Sequence, residues 1–349
     1  MAGRTAIGLD IGTSVVRAVE LSYGRGGLTL ERFGQVVLPD GAVTDGEVTD
    51  SEPVAQCIKQ LWSATGFSHK RVVLGVANQR VIVRQLDLPW MEQDELRAGL
   101  PFQVQDLLPM PTEQAVMDFY PMEEITQDGR RTLRGLLVAA SKDAVLSNVT
   151  CAASAGLKVT SVDLTSFAVL RALGKQSGLD IETEALIDIG ARVTNVVVHS
   201  SGVPRFVRIL LMGGQDITDA VAQETGSTLM EAEALKQQYS VRRAGRGEFD
   251  SVQRAVVTTV SDFVDEIRGS LDYFAASNPG IRVQRILVSG GGSRLEGLLD
   301  RLSDATRMPV VPGDPLVSLR MGRTGLDQQQ LEFVRPLATV PVGLALGAL

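Results

Sequence analysis

The chain has 349 residues, 44% of them apolar and 21% charged, with a net charge of −7 at pH 7. That length exceeds one ordinary core and points to two domains or more, and the composition is that of a globular chain. Acidity without clustered Lys and Arg excludes a general nucleic-acid binder, while two distant cysteines (Cys57, Cys151) and two isolated histidines (His69, His199) argue against a disulfide framework, a thiolate metal centre and a catalytic triad.

Taken from the N-terminus, "MAGRTAIGLD" meets a charge and a glycine before an apolar core forms, so no secretory leader is expected. Residues 5–11, 14–22 and 27–38 read as three strands, with "GRGG" at 24–27 as a turn. Residues 51–66 read as a helix, with Ser51 as N-cap, Pro53 in the first turn and Gly66 past the end; Val54, Ile58, Leu61 and Trp62 share its apolar face. A buried strand follows at 71–77. The texture then changes over 78–157: a polar strand, a helix from about Glu92, the proline-rich "LPFQVQDLLPMP", two strands (116–125 and 131–142) meeting across Asp128-Gly129, and a helix at 143–155. This segment reads as a small α+β insertion.

Strand and helix return at 158–173, and after the loop "GKQSG" the opening pattern repeats. "IGLDIGTSVVRAVEL" and "ALIDIGARVTNVVVH" align without a gap, placing Asp188 over Asp10 and Gly190 over Gly12, 178 residues apart. A repeat at half the chain length implies two similar halves facing each other. Residues 215–262 are mostly helical, with "TLMEAEALKQQYS" the clearest helix and "RAGRGEFD" (243–250) an exposed loop; helix resumes at 251–277. "RILVSGGGSRLEGLLDRLSDAT" reads as strand, glycine loop and helix, and "MPVVPGDPL" as a short strand and turn. The tail "LATVPVGLALGAL" is apolar for too few residues to span a bilayer and reads as a buried terminal helix.

Four clusters could carry chemistry. Asp10-Ile-Gly12-Thr13-Ser14 ends a strand in a glycine turn, where amides and hydroxyls can cradle phosphate oxygens and a carboxylate can hold a hydrated Mg²⁺. The alternative for one copy is an ordinary turn, but two copies half a chain apart fit two hairpins gripping one triphosphate. Gly290-Gly291-Gly292-Ser293 follows a strand and could support a nucleotide; Leu295 stands where a dinucleotide fingerprint needs its third glycine, and no GxxxxGK[ST] occurs. Glu233 and Lys236 lie three apart on one helix face, as a solvated ion pair or as nucleoside contacts. "LPFQVQDLLPMP" packs the insertion or forms a groove for an apolar peptide.

The order of these elements resembles the actin-like ATPase superfamily. Within it, "GLDIGTSVVRAVEL", "LPFQVQDLLPMP", "LIDIGARVTNVVVHSSGVPRFVRILLMGG" and "SGGGSRLEGL" are similar to the PilM family of type IV pilus assembly. The resemblance implies an α/β actin-like fold with two lobes, each a mixed β-sheet flanked by helices, and an FtsA-like α+β inserted subdomain. The first lobe would take 1–77, 158–180 and 336–349, the insertion 78–157, the second lobe 181–214 and 263–335, and a helical subdomain 215–262. It implies ATP and Mg²⁺ as cofactors: Asp10, Gly12, Thr13 and Ser14 on one phosphate motif; Asp188, Gly190, Arg192 and Thr194 on the other; Glu233, Lys236, Gly290, Gly291, Gly292 and Ser293 on the adenosine. Asp10 and Asp188 would hold Mg²⁺ through water.

It further implies a cytoplasmic protein at the inner face of the membrane through its partner. That partner is the N-terminal cytoplasmic peptide of PilN, docking near Phe102, Val104, Leu107, Leu108 and Pro109, with other pilus-motor components as further partners. Ala191 and Arg192 depart from the glycines usual in the second phosphate motif. No residue is assignable as a water-orienting base, so binding of ATP is better supported than its hydrolysis. Two alternatives share the fold: an FtsA-like division protein, which predicts a C-terminal linker and basic helix beyond Leu349, and a small-molecule kinase, whose extra acid would be Asp163.

Overall fold

The computed structural model describes residues 4–127, 129–174, 181–239, 241 and 250–349. Three antiparallel strands open the chain, β1 (Arg4–Ile11), β2 (Val15–Gly24) and β3 (Gly27–Val37). Helix α1 (Ser51–Thr65) follows. Its N-cap is Asp50, whose side chain accepts from the Glu52 N–H, and not Ser51, which is the first helical residue; Gly66 closes it in the left-handed conformation. Strand β4 (Arg71–Val76) then lies parallel to β1.

The insertion is a three-stranded antiparallel sheet, β5 (Val81–Pro89), β6 (Ala115–Gln127) and β7 (Arg130–Ser141), in the order β5-β7-β6. Helix α2 (Gln93–Val104) covers it and α3 (Lys142–Ser154) returns to the first lobe. The helix expected from Glu92 continues through Pro101, so the proline-rich stretch is half helix. Leu96, Leu100 and Val104 on α2 bury against Leu88, Phe119, Leu133 and Leu137 of the sheet, giving the insertion its own core. Asp128, half of the expected hairpin signal, lies outside the described residues, as do 175–178 of "GKQSG" and 243–249 of "RAGRGEFD".

Strand β8 (Lys158–Leu164) and helix α4 (Thr165–Leu173) complete the first half. The second half repeats it. Strands β9 (Thr183–Ile189), β10 (Thr194–Ser200) and β11 (Val203–Leu210) form the same antiparallel meander. Helices α5 (Gly214–Thr225), α6 (Leu229–Lys236) and α7 (Ser251–Ser277) follow. Then come β12 (Arg285–Ser289), α8 (Leu298–Thr306), β13 (Val310–Pro312), β14 (Arg320–Met321), α9 (Gln328–Val334) and α10 (Thr339–Leu346).

The two large sheets have one topology. The first runs β8-β4-β1-β2-β3-β14 and the second β11-β10-β9-β12-β13; in each, three antiparallel strands are extended by parallel strands beside the first of them. The sequence repeat is therefore a repeat of fold. Helix α10 is the buried terminal helix expected from the apolar tail, with Thr339 through Ala345 all buried. It lies on β1 at a separation that glycine allows: a Cβ on Gly8 would sit 2.1 Å from the Pro341 carbonyl oxygen, and one on Gly343 1.8 Å from that of Ala168 on α4.

Candidate functional site

Both sheets deliver the C-terminal end of their first strand to the same place. The β1–β2 turn is closed by the Gly12 N–H donating to the Val15 carbonyl at 3.1 Å, and the β9–β10 turn by the Gly190 N–H donating to Val193 at 3.0 Å. These are equivalent bonds in equivalent turns. A Cβ at either glycine would fall on the carbonyl its own amide binds, 2.9 Å away at Gly12 and 2.5 Å at Gly190. The repeated "DIG" is thus required by turn geometry as well as by any ligand.

Asp10 and Asp188, last but one in their strands, come within electrostatic reach of each other and of Arg17, which pairs with Asp10 across the hairpin. Asp188 is 7% exposed and Asp10 half-buried. Loss of water pushes the Asp10 carboxyl up to about 6, against the pull of Arg17. For Asp188, loss of water and then the neighbouring Asp10 charge push it up to about 7, again opposed by Arg17. Two carboxylates that resist joint ionisation form a site that a cation would relieve. Among the described residues no group of three or more His, Cys, Asp or Glu is arranged to hold a metal. This donor set therefore fits Mg²⁺ held partly by water and phosphate, and does not fit an all-protein cage. The hydroxyls of Thr13 and Ser14 beside Asp10 make no hydrogen bond within the described residues and are free for a ligand.

Arg17 is the residue that sequence reasoning missed. It occupies the position of Asn195 in the repeat, and the two differ in use. Asn195 is buried and its Oδ1 accepts from Thr165 Oγ1 (2.9 Å) and Ser166 Oγ (2.7 Å) at the start of α4, tying the second hairpin to the first lobe. Arg17 instead brings a cation to the two carboxylates.

The second hairpin departs from expectation at two positions. Thr194 is fully buried and donates to the Met212 carbonyl at 2.7 Å, so it braces the strand end and is not presented to a ligand. Arg192 turns onto α5, where Asp216 (3.0 Å) and Asp219 hold its guanidinium. The carboxylates that hold it explain how an arginine is accommodated beside a phosphate-type turn. Replacing Arg192 with Gly is expected to cost about 1 kcal/mol in urea unfolding, since both partly exposed acids lose their cation and keep only the Gly213 N–H and Gln215 amide as donors, and to leave nucleotide-induced stabilisation unchanged.

Gly213 and Gly214 were also missed, although "LLMGGQD" presents them openly after a strand. A Cβ on Gly213 would lie 2.5 Å from the Gly190 carbonyl oxygen, and the Gly214 and Gln215 N–H groups donate to the Gly190 and Ala191 carbonyls at 3.0 and 2.7 Å. Helix α5 thereby abuts the second hairpin. A Cβ on Gly214 would meet Gly190, Gly292 and Lys236, each at 3.7 Å, so three of the expected site segments converge there.

The expected pair on α6 is formed: Lys236 Nζ lies 2.5 Å from Glu233 Oε2. Lys236 also donates to the Gly214 carbonyl (3.0 Å) and Thr218 Oγ1 (2.9 Å), and Thr218 donates to Glu233 at 2.6 Å. Burial opposes ionisation of Glu233, but bonds from Lys236, Thr218 and Gln237 outweigh it and hold its carboxyl below the ordinary range. The pair is thus built into the α5–α6 junction and is not a freely solvated one. Gly290 adopts φ +85° and its N–H donates to the Pro336 carbonyl; Gly291 to Arg294 then make a 3₁₀ turn, with Ser293 Oγ donating to the Gly290 carbonyl at 2.7 Å.

Asp163 is partly buried and already paired. Arg171 engages it while donating to the Gly343 carbonyl at 2.9 Å, so it ties α4 to α10. The expected peptide contacts on the insertion divide. Phe102 is 77% exposed, and Leu107 and Pro109 are exposed, whereas Val104 is fully buried and Leu108 packs against the same core. Val104 is one helical turn on from Leu100 on the inward face, so it serves the fold of the insertion and not its surface.

The family model described as "Type IV pilus assembly protein PilM" matches residues 8–349. The chain belongs to the PilM family. The solved structure of a PilM–PilN type IV pilus biogenesis complex superposes with a TM-score of 0.86 at 27% identity, covering 98% of both chains. The protein is also similar to the cell division protein FtsA: 23% identical to that of Bacillus subtilis (strain 168) over 66% of this chain and 57% of the other, and 23% identical to that of Pseudomonas aeruginosa over 90% and 84%. The match thus spans little more than half of the Bacillus protein. MreB5 of Spiroplasma citri bound to ADP has a TM-score of 0.51 at 14% identity over 97% of this chain and 94% of its own, a likeness of fold. Mixed sheets flanked by helices in two repeated lobes are the actin-like ATPase fold. No helix among the described residues is long and apolar enough to cross a membrane.

Proposed function

We propose that this chain binds ATP with Mg²⁺ between its two lobes and that nucleotide occupancy sets how its insertion engages the cytoplasmic N-terminal peptide of a PilN-type inner-membrane protein in pilus assembly. The observation that carries the nucleotide half is the meeting of Asp10 and Asp188, one from each repeat, with Arg17 beside them. Two phosphate-type hairpins facing each other across a pair of destabilised carboxylates have a use when a hydrated cation and a polyphosphate lie between them. When bound, Mg²⁺ would neutralise phosphate charge; Asp10 and Asp188 would hold its waters. Thr13 and Ser14 would donate to phosphate oxygens, and Lys236, Glu233 and the Gly290–Ser293 turn would line the nucleoside end. Binding of ATP is the proposed activity; Asp163, the acid a small-molecule kinase of this fold would need, is engaged by Arg171. The partner half is supported by the likeness to the PilM–PilN complex; on this reading the protein works at the cytoplasmic face of the membrane through that partner.

A melting series with ATP, with and without Mg²⁺, tests the first half; saturable, Mg²⁺-dependent stabilisation is expected, and its absence would refute it. For the second half, Phe102→Ala is expected to weaken binding of a PilN-type peptide about tenfold with the melting temperature unchanged, because a hydrophobic anchor is lost from the surface. Val104→Ala is expected instead to destabilise the insertion by about 2 kcal/mol. Equal effects of the two on stability would contradict this assignment of surface and core.

A further inference from the structure

At the end of β1 opposite the two carboxylates, a cavity of about 350 Å³ opens at the foot of the first sheet. Its wall carries two guanidinium groups, Arg4 at the start of β1 and Arg71 at the start of β4, together with Thr5, His69 and Thr160. No carboxylate side chain lines it, and neither arginine side chain has a hydrogen-bond or ion-pair partner among the described residues. On a chain of net charge −7, two unpaired cations in one hollow stand out. Lys158 is the register neighbour of Arg71 on the adjoining strand, and it is exposed, which extends the positive field outward.

His69 fixes the start of β4, where its Nδ1 accepts the Arg71 N–H at 3.3 Å. Each guanidinium offers up to five N–H donors in a planar fork. With the Thr5 hydroxyl, the set exceeds what one carboxylate can accept and suits the oxygens of a phosphate.

We propose that this cavity is a second anion site, distinct from the cleft between the lobes, that takes a phosphate group carried by a small ester or by a lipid headgroup. From Arg4 to Asp10 is six strand residues, or roughly 20 Å, so one ligand does not fill both sites.

The test is a melting and calorimetric titration of the full chain with inorganic phosphate in a phosphate-free buffer. Saturable binding is expected. It should weaken about tenfold or more in Arg4→Gln/Arg71→Gln, two exposed positions whose replacement leaves the unliganded melting temperature in place, and persist in Asp188→Asn, which disables the cleft. Absence of saturable binding, its persistence in the double variant, or its loss in Asp188→Asn would each overturn the proposal. Sedimentation with phosphatidylglycerol against phosphatidylcholine vesicles then separates the sources. Arg4/Arg71-dependent capture by the anionic vesicles assigns the site to a lipid headgroup, and phosphate binding without such capture assigns it to a free ester.

Discussion

Asp188→Asn is expected to make the unliganded protein more stable and unable to respond to Mg²⁺ and ATP. Asp188 is held up to about 7 and Asp10 to about 6 in the folded state, against 3.8 for the free side chain. Between pH 4 and 7 the folded protein therefore binds more protons than the unfolded chain, and its stability falls as pH rises through that window. By pH 8 both carboxylates are forced to ionise in a poorly hydrated cleft, at a cost on the order of 7 kcal/mol. The asparagine keeps the shape, removes one charge and can donate to Asp10. Its melting temperature at pH 8 should rise by roughly 5 °C, and the decline between pH 5 and pH 8 should flatten. Nucleotide-dependent stabilisation should vanish in the same variant, because half of the proposed cation site is gone. A decline that is unaltered in Asp188→Asn would show that these carboxylates are not the groups concerned.

The second large effect lies in the glycine turn. Gly290→Ala is expected to cost about 3 kcal/mol and to abolish the nucleotide response, whereas Gly291→Ala should be nearly silent in stability. Position 290 has φ +85°, and an added Cβ would lie 2.3 Å from the Ile189 carbonyl oxygen and 2.6 Å from its nitrogen, so backbone must move. The carbonyl that must move follows directly on Asp188. At Gly291, by contrast, the nearest atom to an added Cβ is Leu337 Cδ2 at 3.4 Å, an ordinary contact. Urea unfolding of the two variants checks this contrast, and equal losses would mean that the run of glycines matters for flexibility and not for close approach.

Much of this architecture is legible in the sequence, because a repeat is a long-range signal that needs no contact information. Aligning residues 7–21 with 185–199 already pairs Asp10 with Asp188 and Gly12 with Gly190, and the structure adds that the two turns share the same hydrogen bond. What stays hidden depends on register and on facing. Arg17 becomes a site residue because it lies directly across the hairpin from Asp10, a pairing set by the length of the turn. Thr194 belongs to a strand buried on both faces, so alternation cannot say which residues face the cleft. Val104 looked available because it lies in a proline-rich stretch; the helix continues through Pro101 and turns it inward. Arg192 could not be placed without the acids of α5, which are 24 and 27 residues away.

The second hairpin meets α5 where the Gly190 and Ala191 carbonyls accept from the Gly214 and Gln215 N–H groups, and meets the first lobe through Asn195 and α4. A ligand drawing Asp10 and Asp188 to a shared cation would bias the angle between the lobes, and the insertion touches both: α3 packs on α1 of the first lobe and β5 on β11 of the second. Nucleotide and peptide would then report on the same opening, and linkage requires each to change the affinity of the other by the same factor. Calorimetric titration of the full chain with a PilN-type N-terminal peptide, in the absence and presence of saturating ATP and Mg²⁺, measures that factor directly. A change in peptide affinity of about fivefold or more, lost in Asp188→Asn, is the predicted result. The same affinity in both conditions, with nucleotide demonstrably bound, would contradict the account.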